Sequence, residues 1–291
     1  MESPKKSSTK NWLIGCGIGC GVVIVIGIVL VVSGVFFVKN MVNTFEESED
    51  VLKTLTKKYG KIYDYSPSPY GSIKSSRMEV FLNTRESLKT VKEELERSIE
   101  FLSEEQKDER EPKRKSGGVL KKIRTGIGLI PRIAEYLKQR NQALLEAGMG
   151  IGEYYYIYTI SYYGWLNKPI TDGLPIDIND DNGFDYQHWE DEESKEIRHD
   201  LAVRRLHQMI LPMLKNQQEQ LLEKSQQEQI SDAWAKALEQ EIKALESNRY
   251  RLIWQDGLPE VIVSSLRPYK HRLESSYSPS LNNIEMIIEQ H

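Results

Sequence analysis

The chain has 291 residues, a formal net charge of −4 and two cysteines. The 253 residues from Lys39 onward are ample for one domain with a sizeable core. Their balance of 36 basic to 42 acidic residues argues against nucleic acid as a partner, because that partner needs a clustered basic face.

The first element is the apolar run Leu13 to Val38, 26 positions without a charged side chain. As a helix it extends about 39 Å, enough to cross a hydrocarbon core of about 30 Å with some tilt. Cleaved signal peptides have apolar regions of about 7–15 residues and end at a small-x-small site. This run is longer and leaves through Val35-Phe36-Phe37-Val38-Lys39. Leu13-Ile14-Gly15-Cys16 has the order of a lipoprotein box, but the apolar stretch follows the cysteine instead of preceding it. The run therefore predicts an uncleaved, single-pass anchor. Lys5, Lys6 and Lys10 precede it, while Glu46, Glu47, Glu49 and Asp50 come after it. By the positive-inside rule the first 12 residues stay in the cytoplasm and the main domain is extracytoplasmic, at the plasma membrane.

Gly15/Gly19 and Gly17/Gly21 form two overlapping small-xxx-small pairs within the run. Such faces let two helices approach closely, which predicts a homodimer through the membrane helix. Both cysteines, Cys16 and Cys20, also lie there. The remainder accordingly uses no disulfide, no thiolate nucleophile and no cysteine-bound metal.

Residues 39–75 read as a juxtamembrane stalk and loop. Met41, Phe45, Leu52, Leu55 and Tyr59 keep helical spacing up to Gly60, and Pro67, Pro69 and Gly71 punctuate the loop after it. Residues 76–291 read as a helical domain. Ser76-x-x-Glu79 has the form of a capping box, and Met78, Phe81, Leu82, Leu88, Val91, Leu95, Ile99 and Leu102 mark one face of a long helix behind it. The charged segment from Lys107 to Gly118 is a connector. The next helical pattern starts at Val119, stalls at Gly126 and Gly128, and restarts with Pro131 as the first residue of a new helix.

Six tyrosines fall within ten residues: Tyr154, Tyr155, Tyr156, Tyr158, Tyr162 and Tyr163. The spacing favours a helix over a strand. In a helix Ile151, Tyr155, Tyr158, Tyr162 and Trp165 share one stripe. Two roles fit: a core helix packed with aromatic rings, or the wall of a pocket for a lipid, sugar or peptide. The second role makes Glu153, Tyr154, Tyr155, Tyr158, Tyr162 and Trp165 the candidate ligand-binding residues. A carboxylate among these hydroxyls, such as Glu153, could also do acid–base work, and buried Tyr–Glu hydrogen bonding explains the pattern equally well.

Lys168 to Gln187 reads as an acidic loop. From Asp172 to Glu196 ten carboxylates face one lysine, Lys195. A calcium-loop frame starting at Asp177 needs Gly at position six and Glu at position twelve; Asn182 and His188 stand there instead. The last third is helical again, with one run kinked or restarted at Pro212. Asn282-x-x-Glu285 caps a final helix.

Chemistry-bearing motifs are otherwise missing from the sequence outside the apolar run. It has no HExxH, P-loop, GxGxxG or GxSxG. Glu196-x-x-His199 is one half of a di-iron pair with no second copy. No metal or cofactor is expected. The expected fold is all-α: one N-terminal transmembrane helix followed by a helical-bundle extracytoplasmic domain. The expected role is a membrane-anchored interaction or scaffold protein of the cell envelope, not an enzyme, whose partners are the lipid bilayer and an envelope protein. The alternatives are a tethered ligand-binding module built on the helix 153–165, and an enzyme assembled from Glu153, the tyrosines and a distant histidine.

Overall fold

The computed structural model describes residues 47–108, 118–173, 176–179, 183–186, 192–228 and 230–287. The apolar run 13–38, with Gly15, Gly17, Gly19 and Gly21, lies outside them. Among the described residues no helix is long and apolar enough to cross a membrane.

Helices build nearly all of the described chain. Residues 47–59 are helical (α1) and lead through a 3-10 turn, Ile62–Asp64, to a loop. Then come α2 (Ser75–Ser87), α3 (Lys89–Asp108), α4 (Gly118–Ala147) and α5 (Ile151–Tyr158). The last of these continues without a break as a π-helix, Thr159–Trp165. A small antiparallel hairpin comes next, β1 (Ile176–Asn179) with β2 (Gly183–Tyr186), pairing Ile176 with Tyr186 and Ile178 with Phe184. After it come α6 (Glu192–Ser225), α7 (Asp232–Ser247), α8 (Glu260–Leu266), α9 (Lys270–Ser276) and α10 (Asn282–Ile287).

Two apolar clusters hold this body together. The larger surrounds α5, all of whose residues but Glu153 are buried, and draws on α2, α6, α7 and α8. The smaller lies between α3 and α4 and includes Leu95, Ile99, Ile133 and Leu137, together with Leu281 and Ile284 beside and on α10. Residues 47–75 are part of the same packing: Leu55 is fully buried in the larger cluster and Tyr59 rests against it. The loop before α2 is pinned by Trp234, whose indole N–H donates to the Pro69 carbonyl at 2.8 Å.

Several local expectations change. The helix expected from Met78 through Leu102 is two helices, broken at Leu88 (φ −84°, ψ 3°). The bend sends Phe81 and Leu82 into the larger cluster and Leu88, Leu95 and Ile99 into the smaller, so the apolar period survives although the helix does not. The Ser76 cap does not form: α2 begins at Ser75 behind an extended Lys74 with no side-chain cap bond, and Glu79 instead pairs with Arg272 at 2.6 Å. Pro131 lies inside α4 rather than starting a new helix, and of the two alternatives at Pro212 the run is not restarted, since Pro212 lies inside the continuous α6. A proline removes one backbone bond; buried Leu129 and Ile133, and Ile210, Met213 and Leu214, pack on either side and hold the helices continuous. The acidic stretch contains a hairpin, and its Ile-Asp-Ile and Phe-Asp-Tyr alternation is a short strand pattern.

Candidate functional site

The tyrosine-rich segment is helical and fully packed. Tyr154, Tyr158 and Tyr162 have no exposed surface, and Tyr155 has 2%. Their hydroxyls do not face a common opening. Those of Tyr154, Tyr155 and Tyr158 converge on one buried ion pair and one buried amide carried by the short helix α10, and that of Tyr162 goes to Ser276.

The ion pair joins Arg85 of α2 to Glu285 of α10. Arg85 Nη1 donates to the two carboxylate oxygens at 3.0 and 3.1 Å, and to the Tyr154 hydroxyl at 2.6 Å. Nη2 donates to the Ser276 carbonyl at 2.9 Å. The carboxylate also accepts from the hydroxyls of Tyr154 (2.6 Å) and Tyr136 (3.0 Å). The Tyr155 hydroxyl donates to the backbone carbonyl of Glu285 and accepts from the buried Arg140 guanidinium at 3.3 Å. Aromatic faces surround the arginine, with Arg85 5.0 Å from the Tyr158 ring centre and 5.1 Å from that of Tyr162, a cation–π arrangement.

The amide is that of Asn282, one turn before Glu285. Its oxygen accepts from Tyr158 at 2.9 Å and Tyr163 at 2.7 Å. Its nitrogen donates to the carbonyls of Ile170 (3.0 Å) and Asp172 (3.2 Å). All four bonding positions of the amide are used. The π-helix makes this possible. Residues five apart share a face where the backbone bonds run i to i+5, so Tyr158 and Tyr163 reach the same oxygen. Tyr162 turns to Ser276, hydroxyl to hydroxyl at 2.7 Å.

The electrostatics derive from burial and charge. Burial alone would push the Glu285 carboxyl up. The charges of Arg85 and Arg140 and the hydroxyls of Tyr154 and Tyr136 outweigh it, and the group stays below its ordinary value. Burial pushes the phenols of Tyr154, Tyr136 and Tyr158 well above theirs. At neutral pH the centre therefore holds a carboxylate, guanidinium cations and neutral phenols.

Glu153 stands apart from this centre. It forms a two-point pair with Arg77, whose Nε donates to its carboxylate at 2.6 Å. Trp165 is half-buried at the end of the π-helix. The structure thus gathers Tyr154, Tyr155, Tyr158 and Tyr162 into one network and leaves Glu153 and Trp165 outside it. Among the described residues no three His, Cys, Asp or Glu side chains are placed to hold a metal ion. His207 meets the Leu245 carbonyl at 2.7 Å, and His199 lies beside Asp200 on the surface.

The sequence reading missed Arg85, Arg140, Tyr136, Asn282 and Glu285. Asn282 and Glu285 serve as tyrosine and arginine partners, not as a helix cap. A signal for the arginines was present. Arg85 interrupts the apolar series 78, 81, 82, 88, and Arg140 interrupts 133, 137, 144, each where the period calls for an apolar side chain. Comparison with protein-family models, with curated proteins and with solved structures gives no match.

Proposed function

We propose that the chain is a membrane-anchored helical scaffold of the cell envelope, tethered by residues 13–38 with its first 12 residues in the cytoplasm and its body outside. The observation that carries this reading is the use made of the tyrosines. The hydroxyls of Tyr154, Tyr155, Tyr158, Tyr162 and Tyr163 all bond to groups of the same chain, which ties most of the candidate ligand-binding tyrosines into the fold instead of into a pocket. A body cross-braced in this way holds its surfaces in fixed relation, as an assembly platform requires. The bilayer is one partner and an envelope protein the other; a second copy joins through Gly15, Gly19, Gly17 and Gly21.

The test uses the full chain in intact cells. After lysis and an alkaline carbonate wash the protein should stay in the membrane pellet, and protease added outside spheroplasts should digest the body. Cross-linking in the membrane should give a dimer that the Gly15→Leu, Gly19→Leu double variant loses. Recovery of the intact chain in the carbonate supernatant, or a body protected from outside protease, overturns the anchor and with it the scaffold reading.

A further inference from the structure

We propose that Lys92 of α3 is a site of covalent modification by aldehydes, which its amine takes up as an imine. The role is independent of the scaffold reading, since it needs neither the anchor nor a partner protein.

The period of α3 and the end of α9 place the amine. Position 92 falls on the stripe of Leu88, Leu95 and Ile99, which are buried in the smaller apolar cluster. Lys92 is half-buried, and its Nζ donates to the Ser276 carbonyl at 3.1 Å. Arg85 Nη2 donates to the same oxygen at 2.9 Å. Two cationic nitrogens thus meet on one neutral acceptor, within the few ångströms over which like charges oppose each other. The nearby carboxylates are engaged elsewhere. Glu285 is held by Arg85, Tyr154 and Tyr136. On α3 itself Glu96 accepts from the Ser278 hydroxyl, and Glu93 pairs with Lys89 at 3.9 Å.

These surroundings favour the free amine. Burial lowers the Lys92 ammonium from its ordinary range and the Arg85 charge adds to that; Glu96, Glu285 and Glu93 act in the opposite direction and do not make up the difference. Lys53 and Lys138 are held the other way, by Glu49 and Glu47. Attack on a carbonyl carbon needs the unprotonated lone pair, which a desolvated lysine beside another cation supplies. The nitrogen adds to the aldehyde carbon, and the carbonyl oxygen then leaves as water with both amine protons. The product is an imine, and nothing is oxidised or reduced. The fold tolerates the loss of this donor. With Lys92 turned outward the Ser276 carbonyl keeps its bond from Arg85, so no buried acceptor is orphaned.

The experiment treats the full chain in detergent micelles with limiting glycolaldehyde and sodium cyanoborohydride, which fixes each imine as a secondary amine. Digestion and mass spectrometry give the rate of modification at each lysine as a function of pH. At pH 7 Lys92 should react about tenfold faster than the exposed Lys53 and Lys89. The difference should shrink as pH rises through the ordinary lysine range, where every amine becomes free. In guanidinium chloride above the unfolding midpoint the preference should vanish, because packing beside Arg85 creates it. A rate at Lys92 equal to or below those of Lys53 and Lys89 at pH 7 overturns the proposal. A preference that survives unfolding also overturns it, since the local sequence alone would then be its cause.

Discussion

Glu285→Gln removes one charge while keeping the side-chain shape, and it isolates the ion pair at the centre of the body. The wild-type side chains are 3% (Arg85) and 1% (Glu285) exposed, so solvent does not screen the change. The substitution leaves the Arg85 guanidinium buried without its counter-charge, and breaking such a pair costs about 3–5 kcal/mol. The new amide also turns one carboxylate oxygen into a donor, facing either Tyr154 or Tyr136, which already donates there, and this places the expected loss in the upper half of that range. For a body of this size each kcal/mol lowers Tm by about 2–4 °C, so the midpoint should fall by roughly 8–20 °C. Urea unfolding of the full chain in micelles, followed by circular dichroism, measures the loss as a shifted midpoint at constant slope. The Arg85→Met, Glu285→Leu double variant should recover much of it, because neither charge then remains buried. A Glu285→Gln loss below about 1 kcal/mol, or a double variant equal to the sum of its singles, would refute the pair as a coupled, buried unit.

The same geometry sets three further outcomes. Because the folded Glu285 carboxyl lies below its ordinary value of 4.5, its contribution is complete above that pH and is lost as pH falls through the lower folded value; the stability gap between wild type and Glu285→Gln should narrow only below about pH 4.5. Tyr163→Phe, which strips a donor from the Asn282 oxygen, should cost about 1–3 kcal/mol in the same urea titration, whereas Tyr156→Phe should be neutral or slightly stabilising, since the buried Tyr156 hydroxyl closes no hydrogen bond of normal length. Gly152→Ala should be among the most damaging small changes, at about 3 kcal/mol or more by thermal unfolding, because its Cβ would stand 2.4 Å from the Ile62 carbonyl oxygen, which is backbone and cannot rotate away.

The helical class was legible because amphipathic spacing is local. Met78, Phe81 and Leu82, or Trp234, Leu238, Ile242 and Leu245, declare a buried face without knowledge of what covers it. Helix ends were less legible, because capping competes with tertiary bonding. Ser76/Glu79 and Asn282/Glu285 have the spacing of a cap, yet Glu79, Asn282 and Glu285 each find a stronger partner elsewhere in the fold. Pro131 misled for a related reason, since burial on both sides of it offsets one missing bond. For the candidate site, the tyrosine helix was visible and its partners were not. Charged residues on apolar stripes signal buried charge at Arg85 and Arg140, but no local pattern can pair Arg85 with a glutamate 200 positions away.

A buried ion pair adds little net stability compared with apolar side chains of the same volume. What Arg85 adds instead is register. Leu281 and Ile284 alone would let a short apolar segment shift or rotate on the smaller cluster, because apolar contacts are non-directional. A guanidinium that meets both carboxylate oxygens at 3.0 and 3.1 Å accepts one position only, and the Asn282 amide fixes the rotation one turn earlier. We therefore expect the Arg85→Met, Glu285→Leu double variant to separate two properties that coincide in the wild type. Its global stability should lie within about 1–2 kcal/mol of wild type, while amides of 282–287 exchange faster by about tenfold or more. Exchange in α10 as slow as in wild type would show that apolar packing alone sets the register, and a charge at the centre of the fold would then have no structural purpose.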